Sequence, residues 1–107
     1  NKKISERMIE MIERDYETDL SLDVCAERLH YHPNYIKTVF RKETGVSFSE
    51  YLAQYRLGKA KEWLMDTDLK VAEIAERLRY HNSQNFIRYF RKMEGVTPGQ
   101  YRKKFRS

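Results

Sequence analysis

One cysteine, Cys25, stands among 107 residues, so the chain cannot close a disulfide within itself. That fits a reducing compartment, and a cytoplasmic location is expected. Cys25 lies between Val24 and Ala26 in an apolar helical pattern and reads as a small core residue rather than a nucleophile. No apolar run approaches the ~20 residues of a membrane span, and nothing resembles a secretory signal peptide, so no membrane contact is expected of this segment. Histidine is scarce as well. His30, His32 and His81 have no Cys, His or acidic partner at zinc-binding spacing, which argues against a metal site. There is no glycine-rich phosphate loop and no nucleophile paired with a base, so neither a cofactor nor catalysis is expected. An initial methionine is missing too: the chain begins at Asn1, as expected of a piece of a larger protein.

What the chain does have is charge and helical periodicity. Charged residues make up 35% and apolar ones 40%, the balance of a soluble globular chain with one modest core or two very small ones. The formal net charge of +5 is unevenly spread. Residues 1–54 carry eight Lys/Arg against ten Asp/Glu, whereas residues 55–107 carry thirteen against six. A basic half suits nucleic acid, an acidic protein partner or an anionic surface, and the balance alone does not choose.

The stretch from Ser47 to Asp66 reads as one long helix. Ser47 followed by Glu50 is a capping-box start. Phe48, Tyr51, Leu52 and Tyr55 recur at helical spacing, and then Leu57, Ala60, Trp63 and Leu64 do so, displaced around the helix. Two displaced stripes imply that each end of this helix serves a different core. Its length at the usual rise is roughly 27 Å.

The same pattern lies on either side. Residues 3–16 place Ile4, Met8, Ile9, Ile12 and Tyr16 on one face of a leading helix. Ser21 can cap a short helix whose buried stripe is Leu22, Cys25, Ala26 and Leu29. After the turn His30-Tyr31-His32, Pro33 opens a second helix that ends at Gly45. Beyond the central helix, AERLRYHNSQNFIRYFRKMEGVTPGQY echoes AERLHYHPNYIKTVFRKETGVSFSEY, at a distance of 49 residues at Ala26/Ala75 and 50 at Phe40/Phe90. The second copy has therefore gained one residue in its turn. Thr97 and Gln100, with Pro98 between them, repeat the capping box. Tyr31 and Tyr80 occupy matching turn positions and are expected to pack inward.

Each copy is a short helix, a tight turn and a second helix with a basic face, the outline of a helix-turn-helix. In the first copy Ile36, Val39 and Phe40 point inward, leaving Asn34, Lys37, Thr38 and Arg41 outward. In the second, Phe86, Tyr89, Phe90 and Met93 are expected inward, with Gln84, Ile87, Arg88 and Arg91 exposed. Both outward sets follow i, i+3, i+4, i+7 and hold no acid. A merely solvated face usually mixes signs. Arg88 can donate twice to guanine O6 and N7; Asn34, Gln84 or Asn85 can pair with adenine; Ile87 suits a thymine methyl. Lys37, Arg41, Lys42, Arg91 and Lys92 can neutralise phosphates.

From LSLDVCAERL through PNYIKTVFRKETGVSFSEYLAQYRLGKAKEWL to IAERLRYHNSQNFIRYFRKMEGVTPGQYR, the chain resembles the DNA-binding domain of AraC/XylS-type transcription regulators. The run FRKMEGVTPGQYR carries the resemblance most specifically. It implies an all-α fold of about seven helices: a leading helix and first helix-turn-helix over 1–46, a linking helix over 47–66, and a second helix-turn-helix with a C-terminal helix over 67–107. It further implies two recognition helices, about 33–44 and 83–93, reading successive major-groove segments about 34 Å apart. Base contacts then fall on Asn34, Lys37 and Thr38 and on Ser83, Gln84, Asn85, Ile87 and Arg88, and phosphate contacts on Arg41, Lys42, Arg91 and Lys92. The implied partner is double-stranded DNA, with RNA polymerase a further candidate. Activation is the family's habit, the isolated domain is expected to be monomeric, and dimerisation is left to a domain outside this segment. The family usually places Gly before the turn tyrosine and Ser at the recognition-helix cap; here His30 and Arg79 take the first place, and His32 and His81 the second. Gly58 interrupts the central helix, for close packing or a bend. The rival reading is a helical interaction module whose basic face docks an acidic protein.

Overall fold

The structure, a computed structural model, describes residues 1–106. Among these there are seven helices and no strand. In chain order they are α1 (Ile4–Asp15), α2 (Leu22–Leu29), α3 (Pro33–Thr44), α4 (Phe48–Asp66), α5 (Val71–Arg77), α6 (Ser83–Glu94) and α7 (Pro98–Phe105). The chain divides into two compact units, and the division falls inside α4, between Tyr55 and Arg56. The two displaced stripes of that helix are the reason: Phe48 and Leu52 are buried in the first unit, while Leu57, Ala60 and Leu64 are buried in the second.

In the first unit α1 and α2 both pack on α3. Met8, Ile12, Cys25, Leu29, Ile36 and Phe40 form its core with Phe48 and Leu52. Phe40 meets Phe48 and Tyr51 edge-on, at centroid distances of 5.7 and 5.6 Å. Burial pushes the Cys25 thiol up to about 11, which makes it an inert core group. The amide of Ser5 donates to Glu43 Oε1 at 3.1 Å, tying the start of α1 to the end of α3.

In the second unit α6 packs between α5 and α7. Ile74, Leu78, Phe86 and Phe90 are buried with at most 1% exposure. Phe90 packs against Phe86 at 5.9 Å with the rings tilted by 57°, and meets Tyr101 edge-on at 5.4 Å. Arg102 donates from Nε to the carbonyl of Leu64 at 3.0 Å and from Nη2 to that of Thr67 at 3.0 Å. Carbonyls at and beyond the last turn of α4, which α4 cannot satisfy itself, thereby hold α7 in place.

The local signals act as their chemistry dictates. Ser21 Oγ accepts from the Val24 amide, and Ser47 Oγ from the Glu50 amide, both at 3.1 Å. Gly45 and Gly95 end α3 and α6 at φ 85° and 83°, the left-handed region that glycine enters without a Cβ clash. His30 and Arg79 hold the left-handed backbone at φ 62° and 67° although each carries a side chain. The turn is kept because the next amide in each copy, Tyr31 or Tyr80, closes on the carbonyl of Ala26 or Ala75 at 3.0 Å. Gly58 is exposed, and a Cβ there would meet nothing within 4 Å, so close packing does not account for it.

Candidate nucleic-acid interface

Both second helices present the polar stripe that the periodicity calls for. Asn34, Lys37, Thr38, Arg41 and Lys42 are all exposed and line one shallow depression on α3. Gln84, Ile87, Arg88, Arg91 and Lys92 line its counterpart on α6, together with Thr97 from the start of α7. Thr97 is an addition that the helical spacing of α6 could not supply, since it enters from the next element. Neither helix has an acid in its first turn, and both carry an Arg-Lys pair in the last.

Each second helix contains one acidic residue, and each is engaged elsewhere. Glu43 accepts from Ser5, whose hydroxyl and amide hold its carboxyl below the usual carboxylate range. Glu94 pairs with Lys61 of α4 at 3.4 Å. The stripes are left with cations, neutral hydrogen-bonding groups and, on α6, the apolar Ile87.

Several positions depart from the sequence expectation. Ile87 is half-buried rather than fully exposed, because one residue after Phe86 it stands at the border between the buried and polar stripes. Met93 is 44% exposed, not inward. It lies in the last turn of α6, past the reach of the core, as its counterpart Glu43 does on α3. Ser83 lines a different depression, with Arg79, Tyr80 and His81 at the turn. Asn85 is exposed on the flank of the stripe, and its Oδ1 accepts from Arg88 Nη1 at 3.2 Å. On α3, the Thr38 hydroxyl donates to the Asn34 carbonyl one turn back, at 3.1 Å.

The inserted residue changes the cap and the turn. His32 does cap α3, its Nδ1 accepting from the Asn34 amide at 3.1 Å. That contact needs an imidazole with Nδ1 unprotonated. His81, however, is not the cap of α6: Asn82 is, its Oδ1 accepting from the Gln84 amide at 2.7 Å. The extra residue moves the cap one place along. The turn tyrosines diverge too. Tyr80 packs on Phe86 at 5.3 Å, and burial raises its phenol. Tyr31 is instead 43% exposed and stacks on Tyr35, itself 51% exposed. Tyr35, which the spacing argument passed over, is the repeat counterpart of Asn85; reading the two copies against each other would have found it.

No helix among the described residues is long and apolar enough to cross a membrane. Nor is there a group of three His, Cys, Asp or Glu side chains arranged to hold a metal ion among them.

Comparison with known proteins adds the family. A family model described as a helix-turn-helix domain matches residues 25–104. The HTH-type transcriptional regulator YtdP of Bacillus subtilis (strain 168) is 55% identical over 106 residues, 99% of this chain but 14% of its own length. The regulatory protein SoxS of Salmonella typhimurium is 33% identical over 102 residues, 95% of each chain. Among solved structures, the C-terminal domain of AraT, a response regulator from Geobacillus stearothermophilus, matches with a TM-score of 0.93 at 36% identity, over 99% of this chain and 88% of that one.

Proposed function

This chain belongs to the AraC/XylS-type family of DNA-binding transcription regulators, and we propose that it reads duplex sequence with α3 and α6, one in each of two successive major grooves. The observation that carries this is the duplicated acid-free stripe, whose one nearby acid is in each copy bonded to another element. On α6, Arg88 donates to guanine, Gln84 pairs with adenine and Ile87 covers a thymine methyl. On α3, Asn34, Lys37 and Thr38 face the bases. Ser83 and Asn85 meet the same groove from the start of α6. Arg41, Lys42, Arg91 and Lys92 neutralise phosphates, setting register and affinity without sequence information.

The parent regulator activates transcription and meets RNA polymerase through surfaces other than the two stripes. The domain binds as a monomer because it already contains two readers, and dimerisation belongs to another part of the parent.

The test is selection of bound duplexes from a randomised pool of about 25 base pairs at near-physiological salt, where purely electrostatic binding is suppressed. Two short motifs about one helical turn apart are the expected result. No enrichment, with binding that vanishes at modest salt, would overturn sequence reading and favour an acidic protein partner for the basic faces.

A further inference from the structure

Tyr31 and Tyr35 form a feature that the reading stripes do not use. Their rings lie 5.3 Å apart at an interplanar angle of 39°, and both are about half exposed. The second copy has nothing like it, since Tyr80 turns inward onto Phe86 and Asn85 replaces Tyr35. On α3, Tyr35 leads a column with Thr38 and Lys42 at i, i+3, i+7, along one flank of the stripe. A helix seated in a major groove turns its centre to base edges and its flanks to the sugar–phosphate walls. Lys42, at the far end of the same column, is a phosphate-neutralising residue. The two rings present an apolar face with hydroxyls, chemistry that matches a deoxyribose beside a phosphate.

We infer that the Tyr31–Tyr35 pair is an uncharged docking surface for one sugar–phosphate strand of the DNA bound by the first unit. The Tyr35 ring lies against a deoxyribose and its hydroxyl donates to a phosphate oxygen, with Tyr31 backing the ring by stacking. The inference rests on the reading of α3 as a groove-inserted helix. An uncharged contact displaces no condensed cation, so it adds affinity without adding to the salt dependence of binding, unlike Lys42. It also carries no base preference, unlike Asn34 or Lys37.

The experiment compares the unaltered domain with Tyr35→Ala, which removes the ring and its hydroxyl, and with Tyr35→Phe, Tyr31→Ser and Lys42→Ala. Affinities are measured across a salt series on a selected duplex and on its single-base variants. Tyr35→Ala is expected to weaken binding about threefold to tenfold, the worth of one net hydrogen bond with its ring contact. The factor should be equal on every duplex, and the salt slope unchanged. Tyr35→Phe and Tyr31→Ser lose smaller factors in the same pattern, and Lys42→Ala lowers the slope by about one. Unchanged affinity in all three tyrosine variants, with melting temperatures like that of the unaltered domain, would overturn the inference. So would a loss concentrated at particular base pairs, or a fall in salt slope. If the unaltered domain shows no sequence preference, it is the base-reading proposal that fails, while the Tyr35→Ala loss on arbitrary duplex still decides the docking surface.

Discussion

The two units share a plan, but the second has one more residue in its turn, and there the two second helices begin differently. In the first, a histidine caps α3 and the turn tyrosine is turned out to stack on Tyr35. In the second, an asparagine caps α6 and the turn tyrosine is packed on Phe86. The left-handed residue and the amide closing on Ala26 or Ala75 stay the same. The buried pairs Ile36/Phe40 and Phe86/Phe90 stay the same as well. Core spacing and turn closure are thus the shared requirement of a helix-turn-helix, while the residues around the start of the second helix are free to diverge. That is where sequence preference can be altered without touching the buried core.

The comparison can be broken first at its cores. Phe40→Ala and Phe90→Ala each remove a fully buried ring and should cost about 3–5 kcal/mol. Amide hydrogen exchange should place the lost protection mainly in α1–α3 for the former and α5–α7 for the latter. Equal loss in both units from either change would show that the cores are not separate. The caps come next. Asn82→Ala should cost about 1 kcal/mol in urea denaturation, and His32→Ala no more than that, because histidine is a less usual cap residue than asparagine.

Acid should separate the units by the smallest margin. Asp15 accepts from Arg28 Nη1 at 2.6 Å, and this bond holds its carboxyl below the usual carboxylate range. Glu43 is held low by Ser5. Values lower in the folded chain than in the unfolded one give stability that is complete above the ordinary carboxylate range, at about pH 4. It is lost as pH falls through the lowered folded values. Protection of first-unit amides should therefore decline on acidification within that window, and Asp15→Asn should flatten the decline. A first unit indifferent to pH across that range would contradict these assignments.

Much of this was legible in the sequence for local reasons. Ser21, Pro33, Gly45, Gly95 and Thr97 act within a few residues of themselves, so the chain order alone reveals them. The inward faces of α3 and α6 were legible where a whole turn lies over the core. Met93 was not, because periodicity gives a direction around the helix and says nothing of where the core ends. The shift of the α6 cap from His81 to Asn82 depended on where the inserted residue was absorbed, a matter of turn geometry. The partners of Asn85 and Thr38 were hidden too, since each has several hydrogen-bonding choices and the fold selects one. The partners of Glu43 and Glu94, Ser5 and Lys61, lie 38 and 33 residues away in the chain, beyond any local pattern.

The most direct test of the central claim, that both second helices read bases, is base-pair-by-base-pair replacement across a selected duplex, bound by the unaltered domain and by Arg88→Ala. The unaltered domain should show two separate blocks of sensitive positions. Arg88→Ala should lose about 1–3 kcal/mol and relax preference in one block only. A single block, or an Arg88→Ala loss spread evenly over all positions, would contradict it.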